Sequence, residues 1–229
     1  MLLCKKIRLE VSPQDAEALE FMQGKCRGLY NWWVMRLRDG EKWPGVYTAK
    51  LTLQESKRHD PELEQVYGKL LHEVYYRLDA AMQAFFRRLE AAEKPGFPRV
   101  RPRHNFFTLC YPAMYLKIVG NTLILPTGGK GKHKRFPNIL ARLTEVAPAG
   151  FREVAISRDA RGNYYASFSY REQEQEPQAG QVVAFDLGIK TLATGVSEQG
   201  KVYHVGGFKG ARWYNKQLDV RLVSPKLAA

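Results

Sequence analysis

The sequence predicts an α+β chain: a β domain interrupted by helices, followed by a second β unit. Three observations lead there. The N-terminal ten residues alternate like a strand, residues 13–93 carry apolar side chains at helical spacing, and beyond residue 104 the pattern returns to short alternating strands. A lone exposed strand is unstable, so the first strand needs partners from beyond residue 104, which makes the intervening helices an insertion. The predicted organisation is a β domain of residues 1–11 and 96–172, a helical insertion of 12–95, a linker of 173–180 and a second unit of 181–229.

Each element has a local cause. In residues 2–11, Ile7, Leu9 and Val11 share one face and Arg8 and Glu10 the other. Ser12-Pro13 reads as an N-cap with proline at the first helical position. Ala16, Leu19, Met22, Cys26, Leu29, Trp33 and Leu37 then form an apolar helix face that Gly40 and Pro44-Gly45 end. A shorter helix is predicted over residues 48–57, before Asp60-Pro61. A long one is predicted over 62–93, with Leu63, Val66, Leu70, Val74, Leu78, Ala81, Phe85 and Leu89 on one face, stopped by Lys94-Pro95-Gly96.

Gly120-Asn121 between residues 115–119 and 122–125 is a two-residue hairpin signal. Residues 152–157 and 164–170 flank a turn at Arg161-Gly162-Asn163, and Tyr164, Ala166, Phe168 and Tyr170 share a face. The polar stretch around Pro177 reads as the linker. After it, residues 182–186, 191–197 and 201–206 predict a three-stranded meander turning at Glu198-Gln199-Gly200, then a helix over 209–222. The first of these strands is apolar throughout, as expected of a central strand.

The 229 residues carry 36 Lys and Arg against 23 Asp and Glu, a formal net charge of +13. Such a balance fits a polyanionic partner, nucleic acid or an anionic membrane surface. Its distribution favours nucleic acid. Residues 94–144 hold ten Lys or Arg and no Asp or Glu, interleaved with Phe97, Phe106, Phe107, Tyr111, Tyr115 and Phe136. That aromatic content argues for a folded surface rather than a disordered basic arm. Tyr30, Trp32 and Trp33 read as helix core rather than stacking platforms. No signal-peptide core precedes Lys5 and no apolar run reaches ~20 residues, so a cytoplasmic protein with no membrane partner is expected. Cys4, Cys26 and Cys110 form no Cys-x-x-Cys pair, which speaks against a disulfide framework and against zinc.

The segment Val182-Val183-Ala184-Phe185-Asp186-Leu187-Gly188-Ile189-Lys190-Thr191-Leu192-Ala193 carries one carboxylate to the end of an apolar strand, where Gly188 frees the turn. Periodicity leaves two roles open for Asp186: capping the turn through its own backbone, or ligating a metal. The pattern Asp-Leu-Gly-Ile-Lys-Thr-Leu-Ala-Thr, with the Ser-Glu-Gln-Gly turn behind it, resembles the first RuvC motif of TnpB, the transposon-encoded RNA-guided nuclease (insertion-sequence OrfB) related to type V CRISPR effectors. Leu-Tyr-Asn-Trp at 29–32, Phe-Phe-Arg at 85–87 and Gly-Phe-Pro-Arg at 96–99 resemble further segments of that family, in the family's order, so the resemblance covers nearly the whole chain.

The resemblance implies a wedge β-barrel (1–11 and 96–172) with an inserted helical recognition domain (12–95), followed by a three-stranded meander plus helix of an RNase H-like RuvC domain (181–229). In that family, Asp, Glu and Asp from three motifs hold two Mg²⁺ ions that activate water and stabilise the leaving oxygen. Asp186 matches the first of these. The acids that follow it are Glu198, in a turn, and Asp219, on a mixed-charge helix, and neither matches the later motifs. The implied protein is therefore an N-terminal portion truncated after the first motif. It is expected to bind guide RNA and target DNA, to hold no Mg²⁺ stably by itself, and to cut nothing alone.

On this resemblance the backbone-contacting residues are Arg99, Arg101 and Arg103, then Lys130, Lys132, Lys134 and Arg135, and Lys190. The second set lies in a glycine-rich loop at 128–135, whose glycines would either let the backbone approach phosphates or simply leave a flexible solvated loop. Tyr47, Lys69, His72 and Thr108 match positions that contact the motif beside the DNA target. The alternatives are a helix-turn-helix protein that binds duplex DNA directly through residues 13–57, and half of a split nuclease completed by a second chain. An incomplete RNase H sheet would also expose an edge and an apolar face, so a homodimer or a strong tendency to aggregate is expected.

Overall fold

The computed structural model describes residues 1–172, 183–187 and 193–205. In chain order it holds β1 (Leu2–Glu10), α1 (Pro13–Arg38), α2 (Val46–Leu51), α3 (Leu53–His59), α4 (Gly68–Glu90), β2 (Leu109–Pro112), β3 (Lys117–Val119), β4 (Thr122–Leu125), β5 (Ile139–Leu143), β6 (Glu153–Arg158) and β7 (Tyr164–Arg171). These lie in one compact unit, Met1–Gln173; β8 (Val183–Leu187), β9 (Ala193–Ser197) and β10 (Val202–Val205) lie in a second, Glu174–Ala229.

The first strand finds its partners far along the chain. It pairs antiparallel with β7 from Leu2↔Arg171 to Leu9↔Tyr164, and its last residues pair with β5, Leu9↔Leu143 and Glu10↔Arg142. It thus sits centrally in a seven-stranded antiparallel sheet, order β2-β6-β7-β1-β5-β4-β3, curled as a half-barrel. The inward side chains are those that alternation selects: Ile7 and Leu9 on β1, Ile139, Ala141 and Leu143 on β5, Tyr164, Ala166 and Phe168 on β7. The β3–β4 hairpin closes as its Gly-Asn signal predicts, with Val119↔Thr122 in register and Gly120 at φ +59°.

Between β1 and β2 come the helices. Ser12 caps α1, its Oγ accepting the Asp15 N–H at 3.1 Å, with Pro13 opening the first turn. Leu19, Met22, Cys26, Leu29 and Trp33 face inward and meet Leu70, Leu71, Val74, Tyr75 and Leu78 of α4. Helices and sheet share a single apolar cluster, and Tyr30 and Trp33 are core residues, each about 1% exposed.

Two helices differ from their sequence pattern. The helix expected from residue 62 starts at Gly68: Asp60 caps a 3₁₀ turn over Pro61–Gln65, and Val66 is extended (φ −93°, ψ 137°). Residues 48–57 are covered by two helices, α2 and α3, which meet at Thr52, whose hydroxyl donates to the Ala49 carbonyl at 2.7 Å. Strands β2 and β5 have no counterpart in the sequence reading, because at four and five residues they offer too little alternation to register.

In the second unit the predicted meander forms, ordered β10-β9-β8. Where the apolar run predicts a central strand, among the described residues β8 has β9 alone as neighbour, and Ala184, Phe185 and Asp186 are exposed. Phe185 lies opposite Gly195, and a Cβ at 195 would sit 2.5 Å from its ring. The aromatic thus covers the bare glycine backbone across the pair. The linker at 173–180, the helix at 209–222, Lys190 and Asp219 lie outside the described residues. No helix among the described residues is long and apolar enough to cross a membrane.

Candidate nucleic-acid interface

One polar stripe on α1, Gln23, Arg27 and Asn31, is spaced by four residues and so lies along one side of the helix. It fixes the arginine-rich loop. Asn31 Oδ1 accepts the Arg101 N–H at 2.7 Å and its Nδ2 donates to the Arg101 carbonyl at 2.9 Å. Arg27 donates to the carbonyls of Arg103 (3.2 Å) and Asn105 (3.5 Å). Gln23 Oε1 accepts from Arg27 at 3.0 Å and from the Phe107 N–H at 3.1 Å. The loop backbone is thus held against the helix while Arg99, Arg101 and Arg103 are exposed. Partial burial, and then the Arg103 charge beside it, lower the pKa of Arg27.

Arg99, Arg101 and Thr108 line a cleft of about 640 Å³ with Arg77 of α4 and Arg158 of β6. A neighbouring cleft of about 540 Å³ runs past His104 to Arg161 in the β6–β7 turn. The Arg77 guanidinium lies 4.6 Å over the Phe107 ring and that of Arg158 lies 5.8 Å from Phe106. The acid on this lining, Asp159, is engaged by its own turn. It accepts from the N–H groups of Arg161 and Asn163, from Asn163 Nδ2 and from the Tyr165 hydroxyl. The Asn163 side-chain bond leads in holding its pKa down to about 2.

The glycine-rich loop splits into anchors and free cations. Gly128 N–H donates to the Gln65 carbonyl (3.0 Å) and Gly129 N–H to that of Glu64 (2.8 Å). A Cβ on Gly128 would lie 2.3 Å from the Gln65 carbonyl carbon. These two glycines therefore permit close approach to the chain's own backbone rather than to a phosphate, which corrects the sequence reading for them. Arg135 is an anchor as well: it pairs with Glu62 at 3.1 Å and lies over the rings of Phe21 and Phe136 at 4.6 and 5.0 Å. Lys134 donates to Asn138 at 2.7 Å. Lys130 and Lys132 are exposed and carry no side-chain bond among the described residues.

Tyr47, Lys69 and His72 belong to a second basic surface, where α2 meets α4. Lys50 links them: its ammonium bonds the Tyr76 hydroxyl, sits 3.8 Å over the Tyr76 ring and lies 5.4 Å from the Tyr47 ring. The Tyr115 hydroxyl beside Lys69 raises that amine's pKa. Thr108 does not join this group; it lines the arginine cleft. Burial first, then the charges of Lys50 (α2), Lys69 (α4) and Lys57 (α3), hold the His72 pKa below its ordinary value.

The sign follows. Folded His72 binds its proton less readily than unfolded His72, so the free chain loses stability as pH falls through about 6.5. A bound polyanion offsets the lysines and lets His72 protonate. Affinity for an oligonucleotide is therefore expected to rise as pH falls from about 7.5 to about 6, and His72→Gln to flatten that rise in fluorescence anisotropy.

Asp186 stands in register with Thr194 on β9, which in turn faces His204 on β10, so these three share one row, with Asp186 and His204 exposed and Thr194 half-buried. Glu198 lies in the β9–β10 turn that Ser197 closes by accepting the Lys201 N–H at 3.1 Å. Among the described residues no three His, Cys, Asp or Glu side chains are grouped to hold a metal ion. One exposed carboxylate does not fit a two-metal centre.

The sequence reading missed Arg77, Arg158 and Arg161 as parts of the basic surface. A signal existed for the stripe: Gln23, Arg27 and Asn31 recur every four residues on a helix that is otherwise apolar on its inner side.

No protein-family model and no curated protein matches the chain. Among solved structures it is similar to a chain of a Cas12f1–sgRNA–target DNA complex, at 12% identity and TM-score 0.43 over 97% of this chain and 61% of that one. It is also similar to a chain of a CRISPR-Cas12f ternary complex, at 10% identity and TM-score 0.48 over 90% of this chain and 51% of that one. The chain thus spans 61% and 51% of those two chains. Likeness at this level assigns neither activity nor ligand.

Proposed function

We propose that this chain is the nucleic-acid-binding portion of a TnpB-like RNA-guided DNA endonuclease. In this reading residues 1–11 and 96–172 form the wedge, 12–95 the recognition domain, and 181–229 the opening of a RuvC domain whose first carboxylate is Asp186. The support is the Asp-Leu-Gly-Ile-Lys-Thr motif at 186–191 together with a basic loop whose backbone is fixed to α1 while its arginines are exposed. Guide RNA and target DNA would bind chiefly through phosphates. Arg99, Arg101 and Arg103 lead, with Lys130 and Lys132 as the uncommitted cations of the second loop.

The 229 residues match one of the three family carboxylates, so the chain alone is not expected to hydrolyse DNA. The test is to purify it, sequence any co-purifying RNA, and titrate that RNA at several salt concentrations. A discrete RNA is expected, and removing all three loop arginines should reduce the salt slope by about 2. Sequence-selective duplex binding without RNA would instead establish the helix-turn-helix alternative. Mg²⁺-dependent cutting by the pure chain, lost in Asp186→Ala, would overturn the inactive assignment.

A further inference from the structure

We propose that the trough between the arginine loop and the β6–β7 turn is a single-strand site. It takes an unpaired nucleotide with its base against Phe106 and its phosphates on the surrounding guanidiniums. The inference rests on the nucleic-acid reading above and narrows it from phosphate contact in general to one chemical class, single-stranded nucleic acid. The two clefts share Asn105, Phe106 and Arg158 in their linings, so they adjoin, with an aromatic residue where they meet.

The ring is held in place. Tyr164 meets Phe106 edge-on at 5.9 Å, and Arg158, which lies beside the ring, is itself fixed by Glu20 at 2.6 Å. Glu20 also accepts from the Tyr164 hydroxyl at 2.7 Å, so three side chains brace the same spot. Around it, donors remain uncommitted: the Arg99 and Arg161 guanidiniums and the Asn105 side-chain amide have no partner among the described residues. The Asn105 backbone, by contrast, is tied to Arg27. A fixed backbone with unengaged side chains is a preorganised acceptor of ligand.

Duplex geometry does not suit this arrangement. Paired bases stack on one another and offer a protein their edges and phosphates, so a recessed ring between arginines is reachable only by a base that has left the stack. Positive grooves with interleaved aromatics are the general solution for single strands. Asn105 would meet a base edge with both a donor and an acceptor. Nothing in the trough selects the sugar, so RNA and DNA are both tested.

The experiment uses the 229-residue chain and labelled oligomers of uridine and of thymidine, each of about 12 nucleotides, with a duplex of equal length. Phe106→Leu keeps apolar volume but removes the ring. It should weaken both single strands about tenfold, leave duplex binding and the salt slope unchanged, and be rescued by Phe106→Tyr. Arg99→Ala and Arg161→Ala, which break no side-chain hydrogen bond or ion pair within the described residues, should each lower the single-strand salt slope by about 0.7; they remain decisive if Phe106→Leu proves misfolded by its thermal transition. Equal loss on all three probes, or no loss on any, overturns the single-strand site while the nucleic-acid reading stands. Failure of the wild-type chain to bind any probe sinks both.

Discussion

Replacing Gly128 with alanine should lower the unfolding free energy by about 3 kcal/mol, combining overpacking with two strained backbone hydrogen bonds. The added methyl would lie 2.3 Å from the Gln65 carbonyl carbon, 2.4 Å from Val66 N and 2.5 Å from Gln65 O. All three are backbone atoms and cannot rotate away. The segments must separate, straining the bonds from Gly128 N–H to Gln65 O and from Gly129 N–H to Glu64 O. For a unit of this size that corresponds to a midpoint lowered by roughly 6–12 °C.

Gly131→Ala is the comparison. Gly131 has a positive φ, +53°, which Gly128 lacks, and a Cβ there meets nothing within 4 Å, so left-handed backbone strain alone, about 1 kcal/mol, applies. Urea unfolding of both variants decides the matter. A loss at Gly128 no larger than that at Gly131 would show that the close approach to Gln65 is not what the glycine at 128 serves.

The same contact explains what could be read in the sequence and what could not. The Ser12-Pro13 cap, the Gly120-Asn121 turn and the alternation of Ile7 and Leu9 are set by neighbours in the chain, so their signals are local and legible. The isolation of the first strand was also legible, because an unpaired strand has no stable alternative to distant partners. The helix start was not. Leu63, Val66 and Leu70 show helical spacing and are all buried, yet a 3₁₀ turn followed by an extended Val66 buries the same side chains. The carbonyls of Glu64 and Gln65 are taken up by Gly129 and Gly128 from a loop far along the chain, and residue spacing does not encode that partner.

A glycine allows close approach whatever approaches it, so composition alone did not separate a phosphate from Gln65. The strand before Asp186 is ambiguous for a related reason. Phe185 is apolar because it covers Gly195 across one strand pair, and apolar composition does not distinguish that role from a central position. The trough was illegible because Arg77, Phe106 and Arg158 come from a helix, a loop and a strand.

Gln23→Leu should cost about 2–3 kcal/mol of stability and, separately, weaken oligonucleotide binding without changing its salt dependence. Gln23 is 5% exposed. Its Oε1 accepts from the Phe107 N–H and from Arg27, and its Nε2 donates at 3.0 Å to Glu20, the carboxylate that holds Arg158. Leucine occupies a similar volume, so no large cavity opens. The penalty comes from the Phe107 N–H, left without its acceptor in a buried setting, while the half-exposed Arg27 and Glu20 can turn to water.

Binding then falls because the loop carrying Arg99, Arg101 and Arg103 is held less firmly and must be ordered by the ligand; a loss of about tenfold is expected. Every positive charge is still present, so the number of counterions released is unchanged. That separates the two roles. Removing an arginine should lower affinity and salt slope together, whereas removing the glutamine that positions the loop should lower affinity alone. A Gln23→Leu chain whose salt slope also fell would mean that the arginines no longer reach the phosphates, and that the stripe on α1 determines which residues form the interface rather than how well they are ordered.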